Sequence, residues 1–298
     1  MKKLILILTL AVQLPLYGQI RPFDNSKAIL PWIYNPSANT FIHDYQPYFG
    51  YDGRGTSNFT PQSFVAGIRI PLMQKRIDAP KSSGRRSVRN RTKVATAVAA
   101  AQVLNTTQSL YNTTTVQVSY AHRVALNERM TLALGMGLGI YNADYDYNAL
   151  VYMDPNDPLL NQSDRLFGLH LNAGFTFTLD RRLFVNLAAP YLLRDKRANF
   201  DEIILRVGYP FYLGRDMVLT AAANLDTYNR NLIYGADVQV QWKEMISLLV
   251  GGDRYKYQAG VLFQVAGFAL GYTYGQNFQP VQGQLATHQI SLFGNVPF

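Results

Sequence analysis

The chain has 298 residues, 28 Lys and Arg against 19 Asp and Glu, a formal net charge of +9 and no cysteine. Without cysteine there is no disulfide, no thiol chemistry and no lipid-modified cysteine. Eight bases and one acid lie in KRIDAPKSSGRRSVRNRTK, residues 75–93, whose sum of +7 equals the whole excess once Lys2 and Lys3 are set aside. This segment has no aromatic residue, which argues against the basic, aromatic-containing face of a nucleic-acid-binding protein.

The N-terminal sequence MKKLILILTLAVQLPLYGQ has the pattern of a secretory signal peptide, with two lysines, an apolar run from Leu4 to about Val12 and the small residue Gly18. The run is shorter than the ~20 residues that span a bilayer, which argues against a membrane anchor. We expect cleavage after Gly18, so that residues 1–18 are removed. Residues 19–45 are too irregular for a strand and too apolar for a free tail, and we interpret them as a possible plug.

Residues 46–298 have a period of two, which predicts strands rather than helices. In TLALGMGLGI (131–140) and LFGLHLNAGFTFTL (166–179), one face is apolar and the other is small or polar. Charges collect near strand ends, together with aromatic residues such as Phe211, Trp242 and Tyr257. A soluble sandwich would carry charges along its outer face. The pattern therefore favours an all-β fold, a transmembrane outer-membrane β-barrel with an apolar exterior, a polar lumen and aromatic girdles.

About fourteen antiparallel strands are expected, and the first and third have the weakest pattern. Their predicted ranges are 46–51, 62–72, 94–104, 113–124, 130–141, 166–179, 183–191, 201–212, 217–227, 232–243, 246–254, 257–266, 268–275 and 288–298.

The connections between these strands mostly alternate between tight turns and longer loops, as expected for a barrel with an even strand number and both termini in the periplasm, although the outer connections 228–231 and 254–256 are short and the periplasmic one between the second and third strands is long. The basic segment 75–93 joins the second and third strands on the periplasmic side, and its Ser and Gly content predicts a flexible turn. The segment 142–165 is a long outer loop. The predicted tight periplasmic turns are 125–129, 180–182, 213–216, 243–245 and the point near Gly267.

The C-terminal sequence HQISLFGNVPF alternates apolar Ile290, Leu292, Val296 and Phe298 with polar residues. A terminal strand that ends on a carboxyl-terminal Phe looks like the signal by which bacterial outer-membrane barrels are recognised for insertion. We therefore interpret Phe298 as an insertion signal.

Three segments together resemble the PorP/SprF family of the type IX secretion system of Bacteroidetes. They are YNPSAN at 34–39, SYAHRVALNERMTLALGMGLGI at 119–140 and ALGYTYGQNFQPVQGQLATHQISL at 269–292. The resemblance implies an integral outer-membrane barrel that works with the secretion machinery and assists export or surface anchoring of large adhesins and related cargo. The chain departs from the family pattern at 73–93, where a shorter turn is usual, and at Gly275, where an acidic residue often stands.

Two surface segments are candidate protein-binding sites. The acidic, Tyr-rich loop 142–165 offers Tyr145, Tyr147 and Tyr152 as contact residues, since Tyr is a rigid amphipathic side chain. The acids of this loop could bind Ca²⁺, but they lack the spacing of an EF-hand. The basic turn is expected to bind periplasmic partners or anionic lipid through Lys75, Arg76, Lys81, Arg85, Arg86, Arg89, Arg91 and Lys93.

Alternation places Arg69, His170, Arg206 and Asp237 in the lumen. Buried charges need partners, so we expect Arg and Asp side chains to pair across the lumen. His170 is the best candidate for a catalytic base, although a histidine in a barrel wall is ordinarily structural. We expect no enzyme activity and no cofactor.

These observations predict an outer-membrane barrel accessory of type IX secretion whose partners are lipid, the secretion machinery or periplasmic proteins, and secreted adhesin cargo, but not nucleic acid. A diffusion channel or small-solute transporter is the alternative, and an outer-membrane hydrolase is a third hypothesis that depends on His170.

Deleting residues 289–298 should abolish accumulation in the outer membrane, because the alternating terminal strand and Phe298 would be lost to the insertion machinery. Quantifying the protein in isolated outer membranes checks this, and normal levels of the truncated chain would contradict it.

Overall fold

The fold is that of a computed structural model, which describes residues 29–40, 44–54, 62–78, 91–108, 111–146, 163–180, 182–194, 197–198, 202–228, 231–278 and 286–295. Within these residues, no helix is long and apolar enough to cross a membrane. The strands form one closed antiparallel β-barrel.

All fourteen predicted strands are present, and a two-residue strand, β8, is added as a short extension paired with β7. The strands are β1 (Gln46–Arg54), β2 (Gln62–Asp78), β3 (Arg91–Gln108), β4 (Tyr111–Ala125), β5 (Met130–Asp146), β6 (Ser163–Leu179), β7 (Leu183–Arg194), β8 (Arg197–Ala198), β9 (Ile203–Leu213), β10 (Met217–Tyr228), β11 (Asn231–Trp242), β12 (Ile246–Asp253), β13 (Lys256–Val265), β14 (Phe268–Asn277) and β15 (Ala286–Gly294).

The barrel closes because its first and last strands pair. β1 lies between β2 and β15, with Tyr48 opposite Phe293 in the β1–β15 register. The other strands follow in chain order around the ring, with β7 next to β9. Closure gives each full strand two neighbours, which satisfies the backbone hydrogen bonds that lipid cannot supply.

The strands are apolar on the outside and polar or small on the inside. In β5, Leu134, Met136 and Leu138 are each more than half exposed, whereas the glycines between them are buried. Exposed aromatic side chains lie near both ends of the wall, such as Phe167 and Tyr257 at one end and Trp242 and Phe268 at the other. The outer surface therefore forms an apolar band with aromatic girdles, as in outer-membrane barrels.

The two ends of the barrel differ in their connections. The end that we call the turn rim carries the start of β1, the end of β15 and the tight turns that the sequence predicted. Two of these turns span 214–216 and 243–245. The other end, the loop rim, carries the connections from β5 to β6 and from β14 to β15.

The basic segment is not simply a flexible turn, which corrects the sequence-based prediction. β2 extends to Asp78 and β3 begins at Arg91, so Lys75, Arg76, Arg91 and Lys93 lie in paired strands, with Arg76 opposite Lys93. The composition argument missed this because backbone pairing between two strands does not require apolar side chains. The bases Lys81, Arg85, Arg86 and Arg89 lie outside the described residues.

The paired part of β2 and β3 projects beyond the turn rim. The register of β2 with β1 ends at Arg69, opposite Gln46, while the register of β2 with β3 continues to Asp78. Register shifts at 71–74 mark a β-bulge at the base of this projection, which bends the strand there. We call residues 70–96 the basic arm, of which the structure describes 70–78 and 91–96, and the nine strand residues 70–78 correspond to about 30 Å of length.

Two other predictions change at the strand ends. β5 extends to Asp146, so Tyr145 is a strand residue opposite Asp164 and not part of a free loop. The prediction ended the strand at residue 141, about the length that a bilayer crossing requires. In the structure, pairing with β4 and β6 continues β5 beyond that length. β15 ends at Gly294 rather than at residue 298. Tyr147, Tyr152 and Phe298 lie outside the described residues.

Replacing Val250, which is 63% exposed at the centre of β12, with Arg should destabilise the barrel in lipid by about 2–4 kcal/mol. The matched control Met245→Arg, at the turn rim, should cost only about 0–1 kcal/mol, because an Arg near the interface reaches water. Urea unfolding in liposomes measures both. Equal costs at the two positions would contradict the proposed apolar band.

Candidate functional site in the barrel lumen

The lumen contains buried polar side chains from most of the wall. The four candidate lumen residues all face inward, with relative exposures of 2% for Arg69, 2% for His170, 8% for Arg206 and 3% for Asp237. Thr176, Thr273 and Gln289 are buried on the same inner face. The roles that the sequence suggested for the four candidate residues stay predictions.

Arg206 and Asp237 form a buried ion pair along one part of the wall. The Arg206 Nη2 atom lies 2.6 Å from Asp237 Oδ1, and Asn224 Nδ2 donates to Asp237 Oδ2 at 2.8 Å. The three residues lie on the adjacent strands β9, β10 and β11, so the pairing runs along the wall and not across the lumen as predicted. Adjacent strands bring side chains within hydrogen-bond distance, which the width of a fourteen-stranded lumen does not.

His170 is bonded to the wall. Its Nε2 atom lies 3.1 Å from Gln117 Oε1, and its ring meets Tyr191 edge-on at 5.8 Å. The ring covers Gly139, where an added Cβ would be less than 3.0 Å from the imidazole. A histidine that is bonded to an amide and 2% exposed has the contacts of a structural residue.

Asp144 of β5 also has local partners. Asp144 accepts hydrogen bonds from Asn142 and pairs with Arg165 at 3.2 Å. Asp154 and Asp157 lie outside the described residues, and the described part of the chain contains no group of three potential metal ligands.

Residues 29–40, which we call the N-terminal segment, lie inside the barrel. They form two short 3-10 helices, Pro31–Ile33 and Pro36–Thr40. Trp32 packs edge-on against Tyr48 of β1 and Phe293 of β15, while Asn35 reaches Thr176 of β6. Five strands, β1 to β5, separate β15 from β6 around the ring, so these contacts require the segment to cross the lumen.

The polar end of this crossing is held by Thr176. Ser37 Oγ lies 2.7 Å from Thr176 Oγ1 and 2.6 Å from Asn35 Oδ1, and Asn35 Oδ1 also accepts the Ser37 backbone N–H at 3.0 Å. An Asn side chain that bonds the backbone two residues later closes an Asx turn. The YNPSAN motif is therefore a folded turn docked on β6.

Two glycines of the wall make room for this turn. An added Cβ at Gly135 would fall less than 3.0 Å from the Ser37 backbone nitrogen, and one at Gly174 would collide with the Asn35 side chain. The two glycines are opposite each other in the β5–β6 register. The glycines that line the polar face of these strands were visible in the sequence, but their purpose was not.

Trp32 covers the second buried arginine of the lumen. The Arg69 guanidinium carbon lies 3.6 Å from the centre of the indole ring, and Arg69 Nε and Trp32 Nε1 have no hydrogen-bond partner in the described part of the chain. A desolvated cation–π contact is worth about 2 kcal/mol, whereas an unpaired buried ion costs several kcal/mol. The contact offsets only part of the cost of burying Arg69.

A family model of type IX secretion system membrane proteins, PorP/SprF, matches residues 78–293. The chain belongs to the PorP/SprF family. The matched region includes β3 to β14 and most of β15, while the YNPSAN motif and the N-terminal segment lie before it. The family and the closed apolar-faced barrel together make this an outer-membrane protein. No curated protein matches the sequence of this PorP/SprF member.

Solved outer-membrane barrels are similar to this PorP/SprF protein in fold. Omp33 of Acinetobacter baumannii has a TM-score of 0.52 at 8% identity, covering 86% of this chain and 100% of its own. The toluene transporter TodX of P. putida has a TM-score of 0.50 at 8% identity, covering 90% of this chain and 94% of its own. At such identities the similarity concerns the barrel fold alone.

Mutations at the two buried arginine sites should change stability in opposite directions. Arg69→Met should raise stability by about 1 kcal/mol or more, because it removes a buried charge that has no acidic partner among the described residues. Asp237→Asn should lower stability by about 3–5 kcal/mol, because it leaves Arg206 without its counter-charge. Urea unfolding in liposomes compares them, and a loss of stability in Arg69→Met would contradict the conclusion that the buried charge of Arg69 is only partly compensated.

Proposed function

We propose that this PorP/SprF protein is an outer-membrane accessory of type IX secretion, which assists export or surface anchoring of large secreted adhesins through protein–protein contacts. The match to the family over residues 78–293 carries the proposal. The barrel provides a membrane-embedded platform whose two rims can bind different partners. Its partners would be components of the secretion machinery or other periplasmic proteins on one side and adhesin cargo on the other.

The turn rim is the side that we assign to the periplasm, because bacterial barrels have both termini and their short turns there. The basic arm then projects from the membrane toward the secretion machinery. Its sequence from 75 to 93 has eight bases and one acid, so it favours acidic protein surfaces or anionic lipid headgroups. Because β2 and β3 stay in register out to Asp78 and Arg91, the backbone of the arm extends beyond the rim.

A role without catalysis fits the interior. His170 is 2% exposed and bonded to Gln117, so the proposed mechanism uses it as a wall residue and not as a base. The alternative function, diffusion of small solutes, receives less support because the N-terminal segment crosses the lumen from β15 to β6. Single-channel recordings of the purified protein separate the two, since steady conductance of the unaltered chain would favour the channel.

Neutralising the arm should weaken binding to the machinery without affecting insertion. In one variant Lys81, Arg85, Arg86 and Arg89 are replaced by Gln, and in a second a short Gly/Asn turn replaces residues 77–92. Both should insert normally, and both should recover less of the type IX machinery in affinity purification from native outer membranes. Raised salt should reproduce the loss with the unaltered chain, because it screens exposed charges.

The matched control carries Gln at Arg129 and Arg215, two exposed bases in other turns of the same rim. It should recover the machinery as the unaltered protein does. If the arm variants recovered the same machinery components as the unaltered protein, at the same salt concentrations, the arm would have no role in binding them. Failure of the unaltered protein to recover any component of the machinery would contradict the proposed function itself.

A further inference from the structure

The two buried arginines of the lumen differ in how their charge is compensated. Arg206 has the Asp237 carboxylate at 2.6 Å. Arg69 is 2% exposed and has the Trp32 indole face at 3.6 Å, with no acidic partner among the described residues. A guanidinium binds a carboxylate through two parallel N–H donors, which an indole face cannot replace. A carboxylate that enters the lumen would therefore gain more binding free energy at Arg69 than at Arg206.

The residues around Arg69 include further polar groups that lack partners. Gln46, directly opposite Arg69 in the β1–β2 register, has a buried Oε1 atom without a hydrogen bond in the described part of the chain. Its Nε2 atom is used, donating to Asn295 at 2.8 Å. Trp32 Nε1 is likewise buried without an acceptor. Buried polar atoms are normally bonded, so the unsatisfied atoms around Arg69 require an explanation.

The backbone of the N-terminal segment that covers Arg69 is not part of the barrel wall. Its observed backbone hydrogen bonds are internal, from Ile33 to Leu30, from Asn35 to Pro31 and from Ala38 to Asn35. No strand of the wall uses its backbone as a neighbour. Its polar contacts with the wall include those of Asn35 and Ser37 with the Thr176 hydroxyl. Displacing the segment would hydrate Arg69 or pair it, and would leave every strand pairing intact.

We propose that Arg69 is a carboxylate-binding residue of the lumen, and that Trp32 occupies its site until a carboxylate-bearing ligand displaces the N-terminal segment. The ligand class is an acidic peptide segment or a small organic acid, which share the carboxylate group. A ligand of this class shifts the equilibrium toward the displaced segment because it binds that state and not the covered one. The inference concerns the lumen alone and holds or fails independently of the secretion role.

The chain offers a direct optical probe, since Trp32 and Trp242 are its two tryptophans. Trp242 faces outward at the turn rim and is 49% exposed. The substitution Trp242→Phe therefore leaves Trp32 as the sole source of tryptophan emission and does not alter the lumen. In this background, purified protein in nanodiscs is titrated at constant ionic strength with triglutamate, with acetate and with neutral triglutamine. Emission wavelength and acrylamide quenching report the environment of Trp32.

Triglutamate should shift the Trp32 emission to the red and raise its quenching, and triglutamine should do neither. A response to acetate as well as triglutamate assigns the site to small acids, and a response to triglutamate alone assigns it to acidic peptides. Gly135→Val in the same background is the positive control, because the added side chain collides with Ser37 and displaces the segment without any ligand. Its emission and quenching define the fully displaced state.

Arg69→Met should abolish the response to carboxylates. Arg69→Lys should keep a weaker response, because lysine retains the positive charge but lacks the two parallel N–H donors of the guanidinium. Arg123→Gln, which removes another base from the inner wall, should leave the response unchanged. Two results would overturn the proposal: no difference between triglutamate and triglutamine, or an equal response in Arg69→Met. Heat-dependent mobility in gel electrophoresis verifies that each variant is a folded barrel, and Arg69→Lys tests the proposal if Arg69→Met does not fold.

Discussion

A strand that crosses a bilayer must have its backbone N–H and C=O groups hydrogen-bonded within the protein, because the hydrocarbon core contains no water. In this PorP/SprF protein the pairing of β1 with β15 meets that requirement by closing the ring. Side-chain alternation then separates two environments, lipid outside and a polar lumen inside. The positions of the lumen residues, the rims and the basic arm follow from this closure.

The closed ring also creates the interior in which the N-terminal segment is held. A ring of fourteen full strands is too wide for wall side chains alone to fill. Here a segment with both apolar and polar residues crosses it, packing Trp32 on one side and docking Asn35 and Ser37 on the other. The wall accommodates the segment with glycines at 135 and 174, where a side chain would collide with it. The lumen is therefore shaped to this segment and is not a smooth channel.

Charge is used differently in the two regions of the protein. Inside, Arg206 has a carboxylate partner, whereas Arg69 contacts an aromatic face and has no acidic partner in the part of the chain that the structure describes. Along the sequence, eight bases are concentrated in residues 75–93, and the charges of residues 19–74 and 94–298 sum to zero. A buried charge acts through its immediate neighbours, while exposed charges act together over about a Debye length. The first arrangement suits a specific ligand, and the second suits a partner surface.

The sequence by itself determined the barrel, the number of full strands, the tight turns and the inward direction of Arg69, His170, Arg206 and Asp237. These depend on a period of two and on local turn residues, which a single sequence contains. It also indicated the family, through motifs near each end and in the middle of the chain. The strand limits were less accurate at the basic segment and at Tyr145, because the end of a strand depends on its neighbour.

Tertiary structure alone decided where the N-terminal segment lies and which side chains become partners. The contact of Asn35 with Thr176 joins residues 141 positions apart, and Trp32 meets Phe293 from the far end of the chain. No local pattern encodes such contacts, because they depend on the closure of the ring and on the small side of two strands facing inward. The environment of Arg69, which has no acidic partner among the described residues, has the same origin, since alternation predicts that a side chain points inward but not what it meets there.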